Sequence, residues 1–413
     1  MTTTREHPPV ATGADVDRWP AMAPPRPAPV RAAIARALLS RIARHAGVAV
    51  TLPDGTRLGP SGGPVLAIRN PDAFFTRFGR DGNIGFGEAF LAGDWDALDL
   101  VAVLEPMARN VATLVPPALQ RLRRFYDPRL PAAEDNNRHG SRRNIARHYD
   151  LSNDLFATFL DETMTYSAAL FDGDYDEPLA MAQRRKIDRL LDLVAAGPGT
   201  RLLEIGTGWG ELAIRAARRG AHVTTLTLSN EQAALAGRRA AAAGVGANID
   251  IRLQDYRDAD GEYDAIVSVE MIEAVGEKWW PTYFRTLDER LAPGGAVGLQ
   301  AILMPHDRML ASKSSWSWIN KYIFPGGIIM SERAIEETLA AHTTLRIADR
   351  MHFGPSYAET LRRWRETFVD AAARVEALGF DETFRRMWTL YLAYSEAGFR
   401  AGYLNVGQFL LRR

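Results

Sequence analysis

The sharpest chemical signal in the chain is Gly206-Thr207-Gly208-Trp209-Gly210, set between the apolar stretch RLLEI and the segment ELAIRAARRG. Alternating glycines let a backbone approach a ligand closely where a strand feeds a helix. The spacing departs from G-x-G-x-x-G, because Leu212 and Ala213 fill the region of a third glycine, and no P-loop lysine follows. A pyrophosphate site is therefore disfavoured. Downstream, VEMIEAVG sets Glu270 three residues before Glu273. On a helical turn the two carboxylates share a face, and their repulsion raises one pKa toward that of a useful base. The alternative is an acid satisfied by a nearby Lys or Arg. The stretch SSWSWINKYIFPGG, with Trp316, Trp318, Tyr322 and Phe324, fits a lid or wall over an apolar substrate, or a plain core helix. His148 and Asp150 read as structural groups. With no cysteine there is no thiolate nucleophile, disulfide framework or cysteine metal site.

These residues need elements to hold them. From Arg201 onward short apolar strands alternate with helices: RLLEIG, ELAIRAARRG, HVTTLTL, NEQAALAGRRAAAAG, IDIRLQDY, YDAIVSV, a helix around KWWPTYFRTLDERLAPGG, then AVGLQAIL. At least five strand units in this order predict a parallel sheet covered by helices on both faces. Ahead of it, residues 31–114 read as a small α+β module. It has a helix closing on Gly47, two strands around an Asp54-Gly55 turn, and glycines Gly85, Gly87 and Gly93 that mark tight turns. Residues 1–30 are Pro-rich and read as a mobile tail. Residues 115–142 are rich in Pro and Arg and read as a basic linker, either a solvated hinge or a contact for anionic headgroups. Residues 143–413 form the expected catalytic domain.

Composition bounds the alternatives. The 413 residues suggest two or three domains, and 46% hydrophobic residues exclude global disorder. Fifty basic against fifty acidic side chains leave no net field to attract nucleic acid. No run approaches the roughly 20 apolar residues of a membrane span, and no basic-then-apolar leader opens the chain, so a cytoplasmic location is expected.

The loop resembles the E/D-x-G-x-G-x-G loop of S-adenosylmethionine (SAM) dependent methyltransferases. RNIARHYDLSNDLFATFLDETMTYSAALF, LTLSNEQ, IRLQDYRD, WINKYIFPGG and FRAGYLNVGQF resemble, in order, the cyclopropane-fatty-acyl-phospholipid synthase family. LPDGTRLGP and IGFGEAFLAGDWD resemble that family's small N-terminal domain, so the likeness covers roughly residues 35–413. It implies a class I SAM-methyltransferase, Rossmann-like α/β sheet with helical lid elements, plus a small α+β N-terminal domain that contacts lipid or dimerises. It implies SAM contacts from Tyr166, Ser167, Gly206, Thr207, Gly208, Thr227, Leu228, Gln232, Asp255 and Tyr256, with Asp255 near the adenine. No metal is expected.

The resemblance also implies methyl transfer to the double bond of an unsaturated phospholipid acyl chain. An alkene needs no base to attack a sulfonium methyl. The carbocation that follows needs a dry pocket and a base to take its proton. The family holds a bicarbonate ion for that step, and its holders fall on Ala168, Glu273, Gln300, Ile302 and Tyr357. Here Ala168 stands for the family's Cys, Gln300 for its His, and Glu270 occupies a position the family usually gives to Gly. EMIEAVG, LQAILMPHDRM and YSAAL look closer to the tuberculostearic-acid branch, which makes a 10-methylene chain, than to the cyclopropane-forming one. The implied partners are a phospholipid surface at the inner membrane face, a second copy of the chain and a reductase. The competing readings are a methyltransferase for a soluble acceptor and an inactive SAM- or lipid-binding protein.

Overall fold

The computed structural model describes residues 15–111, 131, 134–138, 140–141, 144 and 152–413. The chain packs as two units. One joins Met1–Arg129 with Ser315–Ile323 and Leu361–Tyr403; the other joins Leu130–Ser314, Phe324–Thr360 and Leu404–Arg413.

In the first unit, helix Pro29–Ala46 ends at Gly47, whose φ of 71° suits the left-handed cap. Strands β1 (Ala49–Thr51) and β2 (Arg57–Leu58) pair antiparallel across the Asp54-Gly55 turn, as expected. Strands β3 (Val65–Ile68) and β4 (Trp95–Asp96) complete a sheet ordered β2-β1-β3-β4. Gly85 and Gly87 lie inside helix Pro71–Leu91 and do not mark turns. They are small for packing: a Cβ at 85 would lie 2.0 Å from the Arg77 carbonyl oxygen, and one at 87 would lie 2.3 Å from the Trp318 indole. The break falls instead at Gly82, with φ 56° and ψ −123°.

The expected division into residues 31–114 and 143–413 is crossed by the chain. Helix Glu382–Arg400 belongs to the first unit, where Arg386 donates to the carbonyl oxygens of Phe90 and Trp95 at 2.8 and 3.3 Å and pairs with Asp96. Nor are residues 15–30 a loose tail. Trp19 Nε1 donates to Asp381 at 2.8 Å, and the buried Arg77 donates to the carbonyls of Ala21, Met22 and Ala23. Residues 1–14, residues 115–130 of the linker, His148 and Asp150 lie outside the described residues. Among the described residues of the later linker, Glu134 and Asn136 are buried, Asn136 Nδ2 donates to the Gly326 carbonyl at 2.9 Å, and Arg138 is exposed.

The second unit is built on seven strands: β5 (Arg201–Ile205), β6 (His222–Thr227), β7 (Ile249–Leu253), β8 (Tyr263–Val269), β9 (Leu291–Leu303), β10 (Arg346–His352) and β11 (Asn405–Arg412). Their order is β10-β11-β9-β8-β5-β6-β7. The five strands read from sequence are parallel, and β11 inserts antiparallel to both β9 and β10, which makes the sheet mixed. Alternation along the strands sends Leu203, Ile205, Ile266, Val297 and Leu299 into one apolar cluster and Leu202, Ala265, Val267 and Ala296 into another. Two buried faces need helices on both sides, which the crossovers supply.

Candidate active site

The chain leaves β5 toward β6 and β7 on one side, then crosses to β8 and β9 on the other. Where strand order reverses, loops at the carboxyl ends of β5 and β8 part and leave a cleft. It is lined by Tyr166, Ser167, Gly206, Gly208, Asp255 and Glu270, and Thr207, Thr227, Leu228, Gln232 and Tyr256 line it as well. All ten proposed cofactor-binding residues therefore face one space.

The glycines differ in their surroundings. Gly208, with φ 51°, has nothing within 4 Å of where a Cβ would stand, so its backbone borders open cleft. Gly206, with φ 100°, has Met271 Cγ 2.5 Å from the corresponding point. The need for glycine at 206 thus comes from the backbone and Met271 behind it. Beneath the loop, Thr207 and Thr225 hydroxyls meet at 2.7 Å, and Thr225 donates to Glu204 Oε2 at 2.6 Å. Burial pushes the Glu204 carboxyl up to about 8. At the next strand end Thr227 donates to Gln232 Oε1 at 2.9 Å. Asp255 accepts from Arg257 Nε at 2.8 Å and Nη2 at 2.6 Å. Burial raises its pKa, but these hydrogen bonds outweigh it and hold the carboxyl below its ordinary range. An open-backed glycine loop, strand-end polar groups and aromatic Tyr166 and Tyr256 suit a nucleoside with a charged tail, and the residues fit SAM.

The segment carrying Tyr166 to Ala168 is held from outside. Helix Leu179–Leu193 presents two polar residues on its buried face: Gln183 donates to the Ser167 carbonyl at 2.8 Å, and Lys186 Nζ donates to Ser167 Oγ at 2.6 Å. Lys186 is 1% exposed, and burial brings its ammonium down to about 8 despite Glu270 nearby. Sequence reasoning missed Lys186, Gln183 and Glu204. The signal available was a Gln and a Lys three apart in step with Ile187, Leu190 and Leu191, on the face a helix should keep apolar.

At the end of β8 the backbone turns sharply: Glu270 has φ 51°, a left-handed conformation uncommon for a side-chain-bearing residue. The pair Glu270 and Glu273 therefore does not share one helical turn; Glu273 sits on the short 3-10 turn Ile272–Ala274 that follows. Three groups converge on the Glu270 carboxylate. The Ala168 N–H donates to Oε1 at 2.9 Å, Gln300 Nε2 to Oε1 at 2.8 Å, and the Tyr357 hydroxyl to Oε2 at 2.8 Å. Burial raises its pKa, against the pull of Lys186 and these donors. Glu273 Oε1 accepts the Ile302 N–H at 2.5 Å, and burial followed by repulsion from Glu270 pushes its carboxyl up to about 8. The orientation of Gln300 is fixed from behind: its Oε1 accepts from Gln408 Nε2 at 3.0 Å, and Gln408 Oε1 accepts from Arg189 at 2.8 Å. All six proposed catalytic positions are thus brought together. The donors at 168, 300 and 357 are directed at Glu270, and that at 302 at Glu273, so the positions expected to hold bicarbonate do not fit a free anion.

The aromatic stretch is distributed. Trp318 is 3% exposed within the first unit, and Tyr322 there donates to Glu88 at 2.9 Å.

Sheet order, glycine loop and strand-end cleft define a SAM-dependent methyltransferase of the class I, Rossmann-like type. Residues 136–409 match the mycolic acid cyclopropane synthetase family, and the chain belongs to that family as an enzyme. It is 54% identical to the tuberculostearic acid methyltransferase UfaA1 of Mycobacterium tuberculosis, over 97% of this chain and 96% of that one. It is 34% identical to the cyclopropane-fatty-acyl-phospholipid synthase of Escherichia coli K12, over 84% of this chain and 87% of the other. Among solved structures, mycolic acid cyclopropane synthase CmaA1 complexed with SAH and CTAB aligns with a TM-score of 0.61 at 31% identity. That alignment covers 66% of this chain and 98% of the other.

Proposed function

We propose that the enzyme methylates the double bond of an unsaturated acyl chain in a membrane phospholipid and releases a 10-methylene chain. The observation that carries this reading is the Glu270 carboxylate, held by three donors at the edge of the cofactor cleft. The 54% identity with a tuberculostearic acid methyltransferase supports the product, and the E. coli relative's name supports a phospholipid acceptor. SAM, when bound, supplies an electrophilic methyl group. The alkene attacks it unaided, so the protein's own work is to hold the chain against the cofactor, exclude water and accept one proton.

A double bond to the new carbon needs positive charge on the chain carbon that bears it. A hydride therefore moves from that carbon to its neighbour before the methyl loses its proton. Without the shift, the same proton loss closes a cyclopropane. The same reading puts the enzyme peripherally at the cytoplasmic face of the membrane, as a homodimer, ahead of a reductase that saturates the methylene. Among the described residues no helix is long and apolar enough to cross a membrane. Purified enzyme is incubated with SAM and vesicles of an oleoyl phospholipid, and the released fatty acids are weighed by mass spectrometry before and after mild hydrogenation. A species heavier by one CH2 that takes up hydrogen is expected. One that resists hydrogen is a cyclopropane, and no new species returns the question to a soluble acceptor or lost activity.

A further inference from the structure

We propose that the Glu270 side chain is a tethered replacement for a free bicarbonate ion, and that, given the acyl-methylation reading above, its Oε2 takes the proton lost by the methylated chain. Five positions are expected to surround a bound anion. Three of them, the Ala168 N–H, Gln300 Nε2 and the Tyr357 hydroxyl, donate to Glu270 at 2.8–2.9 Å. The Ile302 N–H is taken by Glu273, which is itself the fifth. A carboxylate and a bicarbonate present the same planar pair of oxygens, so one occupies the donors of the other.

The backbone at position 270 suits a glycine, the residue that the family resemblance expects there. Position 270 has φ 51°, which costs a residue with a Cβ and costs glycine nothing. A glycine there leaves the donors free for a diffusible anion, whereas a glutamate delivers its own carboxylate to them. The contacts also bear on its state. A carboxylate offers about four lone-pair sites. Oε1 accepts two donors and Oε2 accepts one, which leaves one site on Oε2. Gln300 cannot turn its oxygen toward Glu270 without losing Gln408, and Gln408 is held in turn by Arg189. The Ala168 N–H and the tethered Gln300 amide can only donate, and the Tyr357 hydroxyl is placed to donate, an arrangement that favours the ionised carboxylate against the upward push of burial.

The step balances. One methyl C–H bond breaks and its electron pair becomes the new C=C bond, cancelling the positive charge on the chain. The proton passes to Glu270 Oε2 and leaves to solvent after product release. Gln300 and Tyr357 act through Glu270 and are positioning residues.

The test uses the full chain in buffer stripped of carbon dioxide, with and without added sodium bicarbonate. Wild-type turnover is expected to change less than about twofold, while Glu270→Gly loses about 100-fold or more, the typical size of a general-base contribution. Bicarbonate is expected to restore at least tenfold in Glu270→Gly and nothing in Glu270→Gln, whose amide still fills the space. A second readout needs no turnover: the line width of 13C-bicarbonate is expected to broaden with Glu270→Gly and not with wild type. Wild-type enzyme that needs bicarbonate, or that broadens its signal as strongly as Glu270→Gly, overturns the proposal. So does a Glu270→Gly chain that keeps native circular dichroism yet binds no bicarbonate. If no form methylates the phospholipid, the acyl reading fails, and the anion measurement still decides whether Glu270 fills the site.

Discussion

Glu270 and Glu273 show how two carboxyls of one short segment come to differ. Glu270 accepts from three donors, whereas Glu273 has one strong donor and a buried Oε2 without a hydrogen-bond partner. With its pKa near 8, Glu273 is mostly protonated at neutral pH. The folded state holds that proton and the unfolded chain, with a value near 4.5, does not, so the group costs stability as pH rises from 4.5 through about 8. Glu273→Gln keeps the shape and removes the ionisation. Its melting temperature is therefore expected to match wild type at pH 4 and to exceed it increasingly toward pH 9, as thermal unfolding by circular dichroism would show; a constant offset refutes the assignment. The glycines separate in the same way. Gly208→Ala is expected to cost the fold only about 1 kcal/mol, yet to weaken SAM binding tenfold or more by calorimetry, because its Cβ enters open cleft. Gly206→Val should instead lower stability by several degrees in the absence of cofactor, since it must displace Met271.

Helix Leu179–Leu193 and strand β11 carry the site without contributing a reacting group. The helix closes on the sheet at Gly298, where a Cβ would lie 3.1 Å from Val194 and 3.3 Å from Leu190. That approach sets Lys186 and Gln183 against the Tyr166–Ala168 segment and Arg189 against Gln408. Strand β11 pairs Gln408 directly opposite Gln300 on β9, and the amide relay follows from that register. Gln408→Leu removes the partner of the buried Gln300 oxygen, a cost of about 1–3 kcal/mol, and frees the amide to turn. The expected result is a fall in kcat of tenfold or more with KM for SAM unchanged. A rise in KM with kcat intact shows that the relay shapes the cofactor site instead.

At the scale of the molecule, two compact units are woven from non-contiguous segments. A chain cut to residues 143–413 keeps helix Glu382–Arg400 but loses the partners of Arg386 at Phe90, Trp95 and Asp96. The orphaned guanidinium and the loss of helix Leu100–Arg109, which packs against helix Glu382–Arg400, predict aggregation on size-exclusion chromatography. A monodisperse fragment with full methyltransferase activity refutes this.

The sequence by itself determined the strand and helix order from Arg201 to Leu303 and the glycine loop, because periodicity and turn residues are local properties, whereas the cofactor set was implied by the family resemblance alone. The resemblance also brought Glu270 into view as a departure at a glycine position. Only the tertiary structure decided what that residue does. Ala168, Gln300 and Tyr357 lie far apart in the chain, on the loop before helix Leu179–Leu193, on β9 and on helix Gly354–Asp370, and their donors meet the carboxylate only once these segments pack together. The same reason hid Lys186 and the recruitment of residues 361–403 to the first unit: burial and long-range pairing depend on which surfaces meet, which no local pattern states.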